Sequence, residues 1–156
     1  MRILRVIYVL AIAVALVLLV VAGVQAFYPE PSYPEYPEYP PPTWDYDSPE
    51  YEEWEQEWRE AVAAYDEEAA VRDRNIFLIV LPLGVVFAVG GTFLQRRLDI
   101  FGAGLILGGI GTMIFAVVPY DLEAIPRFIG IAVILAVLAF VGYKVFLSSR
   151  KSEHRL

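Results

Sequence analysis

The residues best suited to chemistry in this chain are acids and aromatic rings, concentrated between two apolar stretches. Asp45, Asp47, Glu50, Glu52 and Glu53 place five carboxylates close together. Oxygen ligands at such density are what a calcium ion takes. The spacing lacks the glycine and the ligand order of an EF-hand loop. The same acids suit the first turn of a helix, where the positive end of the dipole favours them. Asp47 or Ser48 supplies a cap, and Pro49 fits the first helical positions. A capped, solvated helix start is therefore the primary reading, with calcium binding as the lesser one.

The aromatic residues follow at once. Tyr51, Trp54, Trp58, Val62, Tyr65 and Ala69 recur at helical spacing. At about 100° per residue they fall within one stripe about 80° wide. Glu53, Gln56, Glu57, Glu60 and Glu67 occupy the opposite side. Glu55–Arg59 and Glu68–Arg72 stand four residues apart, a favourable spacing for ion pairs on a helix. Large rings on an exposed stripe need cover. The chain's own external loop, the membrane interface, a partner or a second copy would each provide it. Tyr51, Trp54, Trp58 and Tyr65 are the candidate partner-binding residues.

Upstream, Tyr-Pro-Glu occurs three times, at 28–30, 33–35 and 36–38, and Pro40, Pro41 and Pro42 follow. Proline fixes φ and lacks a backbone donor, so residues 28–47 are expected as an extended, polyproline-like linker. Tyrosine and proline also pack well on aromatic grooves, which makes a docking strip the second reading. Pro41-Pro42-Thr43-Trp44 only approximates a WW-type ligand.

Other chemistry is poorly provided for. Cysteine is absent and the one histidine, His154, lies in the polar tail. No nucleophile–base pair, metal-ligand cluster or phosphate loop is evident. The chain is expected to be non-enzymatic, with no cofactor and no nucleic-acid partner.

The elements that carry these residues are four apolar runs, Ile3–Phe27, Ile76–Leu94, Ile100–Val118 and Phe128–Leu147. A bilayer core of about 30 Å needs about 20 apolar residues of helix, and each run is of that order. The chain has 156 residues, is 58% hydrophobic and has mean hydropathy +0.53, which fits an integral membrane protein. No ionisable side chain lies in the centre of any run, where proton relays, coupled transporters and voltage sensors usually place them. A pore is still compatible, because hydrophobic gates and backbone linings need no charge.

Charge is distributed unevenly. Residues 28–75 hold 15 acids and 3 bases, whereas the remainder holds 4 acids and 9 bases. Arg2 and Arg5, then Arg96 and Arg97, then Lys144, Arg150, Lys151 and Arg155 fall on one side if all four runs span. The excess of bases assigns that side to the cytoplasm. Both termini are then cytoplasmic, and residues 28–75 are extracytoplasmic. A prokaryotic plasma membrane suits this pattern, and the basic tail suits anchorage at anionic lipid. Arg2, Arg5, the apolar stretch and Val24-Gln25-Ala26 resemble a cleavable signal peptide, but the core from Val6 to Ala22 exceeds the usual ~7–15 residues. Retention as a signal anchor is the expectation, with cleavage the alternative.

Rows of small residues mark where backbones can approach closely in lipid. The third run holds Gly104-xxx-Gly108 extended by Thr112, the second Gly84-xxx-Ala88 followed by Gly90 and Gly91, and the fourth Ala132-xxx-Ala136 and Gly142. Gly84, Ala88, Gly104, Gly108, Thr112, Ala132 and Ala136 are the candidate helix-packing residues, with the tightest packing expected of runs three and four. Pro82 is expected to kink the second run. Arg96-Arg97-Leu98-Asp99 is short enough to make runs two and three an antiparallel hairpin.

These readings combine into an all-α, four-transmembrane-helix bundle. Residues 1–27 form the first span, 28–47 the linker, 48–75 an acidic amphipathic helix, 76–147 a three-span bundle and 148–156 a basic tail. The expected role is an accessory, scaffold or assembly subunit, with the lipid bilayer and other membrane subunits as partners. The alternative is a homo-oligomeric, channel-like or transporter-like protein with glycine-rich third spans lining a path. A third possibility is a surface sensor that reads cations or peptides with its acidic segment.

Overall fold

The computed structural model describes residues 2–35, 48–95, 97–118 and 122–153, with side chains described only as far as Lys144. Every regular element in these segments is helical: α1 Arg2–Phe27, α2 Pro49–Leu94, α3 Asp99–Val117 and α4 Ala124–Glu153. All four are long and apolar enough to cross a bilayer, so the protein is membrane-embedded and all-α.

The helix α2 carries both the acidic stretch and the second apolar run. It runs for 46 residues without a break, through the polar stretch Arg72–Asn75 and through Pro82. The sequence allows either a continuous helix here, with the stripe in register through Ile76, Val80 and Leu83, or a bend at Arg72–Asn75; the helix is continuous. Ser48 starts it: its backbone is extended, its hydroxyl accepts from the Tyr51 amide at 3.3 Å, and Pro49 follows. Glu50 and Glu52 occupy the first turn, where the helix dipole favours acids. Of the two candidate caps, Ser48 is the one in place. Asp47 lies outside the described residues.

Helix directions alternate. Gly91 of α2 faces Gly102 and Ile106 of α3, while Gly84 faces Gly109 and Met113, so α2 and α3 are antiparallel. Gly104 of α3 meets Ile12 of α1, and Gly108 meets Ala13 and Leu16, so α1 and α3 are parallel. Gly130 near the start of α4 meets Val117 at the end of α3 and Phe77 of α2. The starts of α1 and α3 therefore share one end of the bundle. Arg5 and Asp99 lie 3.8 Å apart there.

The core is built on α2 and α3. Ile76, Phe77, Val80, Leu81, Met113 and Ala116 are buried, joined by Val20 of α1 and by Leu122, Val137 and Val141 from the fourth segment. The peripheral helices α1 and α4 leave much of their apolar surface outward, Leu18, Leu19, Ile129 and Leu135 among them. On a bilayer-spanning helix such surface faces lipid.

Candidate functional site

The packing candidates separate into three groups. Gly104 and Gly108 present one face of α3 to α1: a Cβ at Gly104 would lie 2.7 Å from Ile12 Cγ2, and one at Gly108 would lie 3.2 Å from the Ala13 Cα. Thr112 continues this region, fully buried, with its hydroxyl donating to the Gly108 carbonyl at 2.8 Å. That back-bond satisfies the hydroxyl within its own helix. Gly84 and Ala88 form a second group, on α2. A Cβ at Gly84 would meet the Gly109 carbonyl oxygen at 2.8 Å and Met113 Cγ at 2.5 Å. Ala88 is fully buried, against Gly109. Ala132 and Ala136 make the third group, and they are exposed. Instead, α4 approaches the bundle through Val137 and Val141, roughly opposite the alanines at about 100° per residue. The closest backbone approaches thus lie between α3 and its neighbours α1 and α2, rather than between α3 and α4.

Gly91, Gly102 and Gly109 belong with these residues. Gly109 is the tightest against α2, since a Cβ there would lie 2.5 Å from the Ala88 nitrogen and 2.7 Å from the Gly84 oxygen. Their signal in the sequence is the seven-residue interval from Gly102 to Gly109. Two turns bring such positions to nearly one azimuth, on the side of α3 away from Gly104 and Gly108.

The aromatic candidates Tyr51, Trp54, Trp58 and Tyr65 are all half-buried on α2. Tyr51 and Trp54 rings lie 5.8 Å apart. Part of the cover comes from the chain's own linker. The Tyr33 ring meets Tyr65 edge-on at 5.0 Å and Trp58 at 6.2 Å. Such edge-to-face contacts suit the ring quadrupoles and add about 0.5–1.5 kcal/mol per pair. Tyr33 of the second Tyr-Pro-Glu unit is therefore laid on the stripe. The third unit, Pro41-Pro42-Thr43-Trp44, Asp45 and Asp47 lie outside the described residues.

Where α2 meets the end of α1, charges are held together. The Arg72 Nε donates to the Tyr28 carbonyl at 3.1 Å, and its Nη1 lies 3.3 Å from Asp73 Oδ1. Asp73 is buried. The anticipated Glu68–Arg72 pair is replaced by these contacts, while Glu55–Arg59 is made at 2.6 Å. The physical reason is the C-terminus of α1, whose last carbonyls lack helical partners and attract a cation. A cavity of about 350 Å3 beside this clasp is lined by Gln25, Glu30, Tyr65, Asp73 and Phe115. Among the described residues no group of three or more histidines, aspartates and glutamates converges on a metal position.

Comparison with protein families, with characterised proteins and with solved structures gives no match.

Proposed function

We propose that the protein is a non-enzymatic accessory or assembly subunit of a membrane complex, acting through helix packing and through an external aromatic arm. The observation that carries this reading is the continuity of α2, which makes the second span and the acidic arm one helix. A partner held by the arm would be fixed in height and direction relative to the span. The stripe of Tyr51, Trp54, Trp58 and Tyr65, with Tyr33 laid across its lower half, is the surface on offer. Both termini are assigned to the cytoplasm of a plasma membrane. The excess of bases at Arg2, Arg5, Arg97 and Lys144 supports that assignment.

Contacts of the α3 glycines favour this reading over a path lined by third spans. Gly102, Gly104, Gly108 and Gly109 are buried against α1 and α2 of the same chain, which leaves them no access to a pathway between copies.

The test is purification from native membranes in mild detergent with a C-terminal tag, comparing wild type with the Trp54→Glu, Trp58→Glu double variant. Stoichiometric foreign subunits should accompany the wild type and be lost from the variant, while the spanning bundle keeps its thermal stability. Unchanged complex and protein level would overturn the docking role. A homo-oligomer without foreign subunits would favour the channel-like alternative, to be followed by flux measurements.

A further inference from the structure

At the end of the bundle opposite the arm, α1 and the α2–α3 turn enclose a groove of about 810 Å3. That volume is within the ~300–1,000 Å3 range of small-ligand sites. Its walls include Leu4, Tyr8 and Phe101, and its rim carries Arg5, Arg97 and Asp99. The walls are exposed apolar surface on spanning helices, so whatever fills the groove in the bilayer has an apolar body. The rim asks for a negative head. Arg5 and Asp99 are 3.8 Å apart with both side chains about two-thirds exposed, so the acid leaves the guanidinium open to a further anion. The groove also borders the start of α3, where Leu98 offers no side-chain acceptor to the first amides. The positive end of a helix dipole without a capping side chain suits a phosphate, and Asp99 in the first turn is the acid it would compete with.

We propose that this groove is a binding site for an anionic phospholipid. Its phosphate sits against Arg5, Arg97 and the first turn of α3, and one acyl chain runs along Leu4, Tyr8 and Phe101. Basic pockets between spanning helices at the cytoplasmic face are suited to such headgroups. The proposal is independent of what the arm binds.

Native mass spectrometry of the full-length protein tests it, with phosphatidylglycerol and phosphatidylcholine of identical chains offered in competition. Phosphatidylglycerol should be retained preferentially. Preference should fall about fivefold per arginine in Arg5→Gln, Arg97→Gln protein. It should persist in Arg5→Lys, Arg97→Lys protein and in Lys144→Gln, which removes a charge outside the groove. Asp99→Asn, which removes the competing carboxylate, should strengthen retention. Equal retention of the two lipids would overturn the site. So would a Lys144→Gln loss as large as that of the arginine pair, since diffuse charge would then suffice. Displacement of the lipid by excess inorganic phosphate would also overturn it, in favour of a free-anion site.

Discussion

Glycine at position 109 sits at the close contact between α2 and α3. Its missing Cβ lets the backbone of α3 approach Gly84 and Ala88 of α2 within contact distance. Lipid tails are as apolar as the helices, so close van der Waals packing drives association where burial from water cannot. Gly109→Ala forces backbone against backbone and should cost about 1–3 kcal/mol, as overpacking does. Gly90→Ala, with nothing within 4 Å of the added methyl, should cost nothing and gain up to about 1 kcal/mol from helix propensity. Unfolding titrations of both variants in mixed detergent check the contrast. Comparable losses from the two would mean that α2 and α3 are not this closely packed. Small-residue rows at Gly84, Ala88, Gly104 and Gly108 were legible because a four-residue interval is conspicuous. Gly109 was less so, because its partner on the same face is a full seven residues away. Ala132 and Ala136 have the same spacing, but α4 meets the bundle through valines on its other side. Spacing alone reports a close-packing face and not which neighbour it meets.

At the scale of elements, the unbroken helix α2 was half legible. The stripe that starts at Tyr51 stays in register through Ile76, Val80 and Leu83, and neither glycine nor proline interrupts it before Pro82. What the pattern left open was Arg72–Asn75, four polar residues where a bend would also be natural. Long-range contacts decide the matter, and a helical pattern cannot show them. Arg72 finds the end of α1, and Asp73 is buried beside it. The linker presents the converse case. Proline density predicted an extended segment, but nothing in its repeat specified that Tyr33 would return to Trp58 and Tyr65. The continuous helix has a measurable length: spin labels at positions 55 and 90 should be up to about 52 Å apart at 1.5 Å per residue, shortened only slightly by a kink at Pro82. Double electron–electron resonance in nanodiscs gives that distance. A value shorter by more than about two helical turns, some 11 Å, would mean that the arm folds over at the membrane surface.

For the whole molecule, the alternating order of four spans was the most legible feature, since apolar length alone determines it. Residues 1–27 themselves favour an anchor over a cleavable leader only through the length of the core from Val6 to Ala22. Packing now bears on the choice: α1 lies in the face formed by Gly104 and Gly108, burying Ala13 against Gly108 and Val20 in the core cluster. Removing α1 would strip that face of its neighbour and leave Arg72 without the helix end it caps. Protein purified from its native membrane should therefore have a mass that includes residues 1–27. Intact-mass measurement is the check, and a mature chain beginning at Phe27 would overturn it.

The single helix of span and arm has a geometric corollary. Each residue added between them raises the tip by about 1.5 Å and also rotates it by about 100°. Reach and bearing are thus locked together, as on a screw thread. An insertion of two residues would swing the stripe about 200° and aim it backwards, whereas seven would return it to within about 20°. A partner seated on the stripe would tolerate lengthening of the arm only in steps close to whole turns.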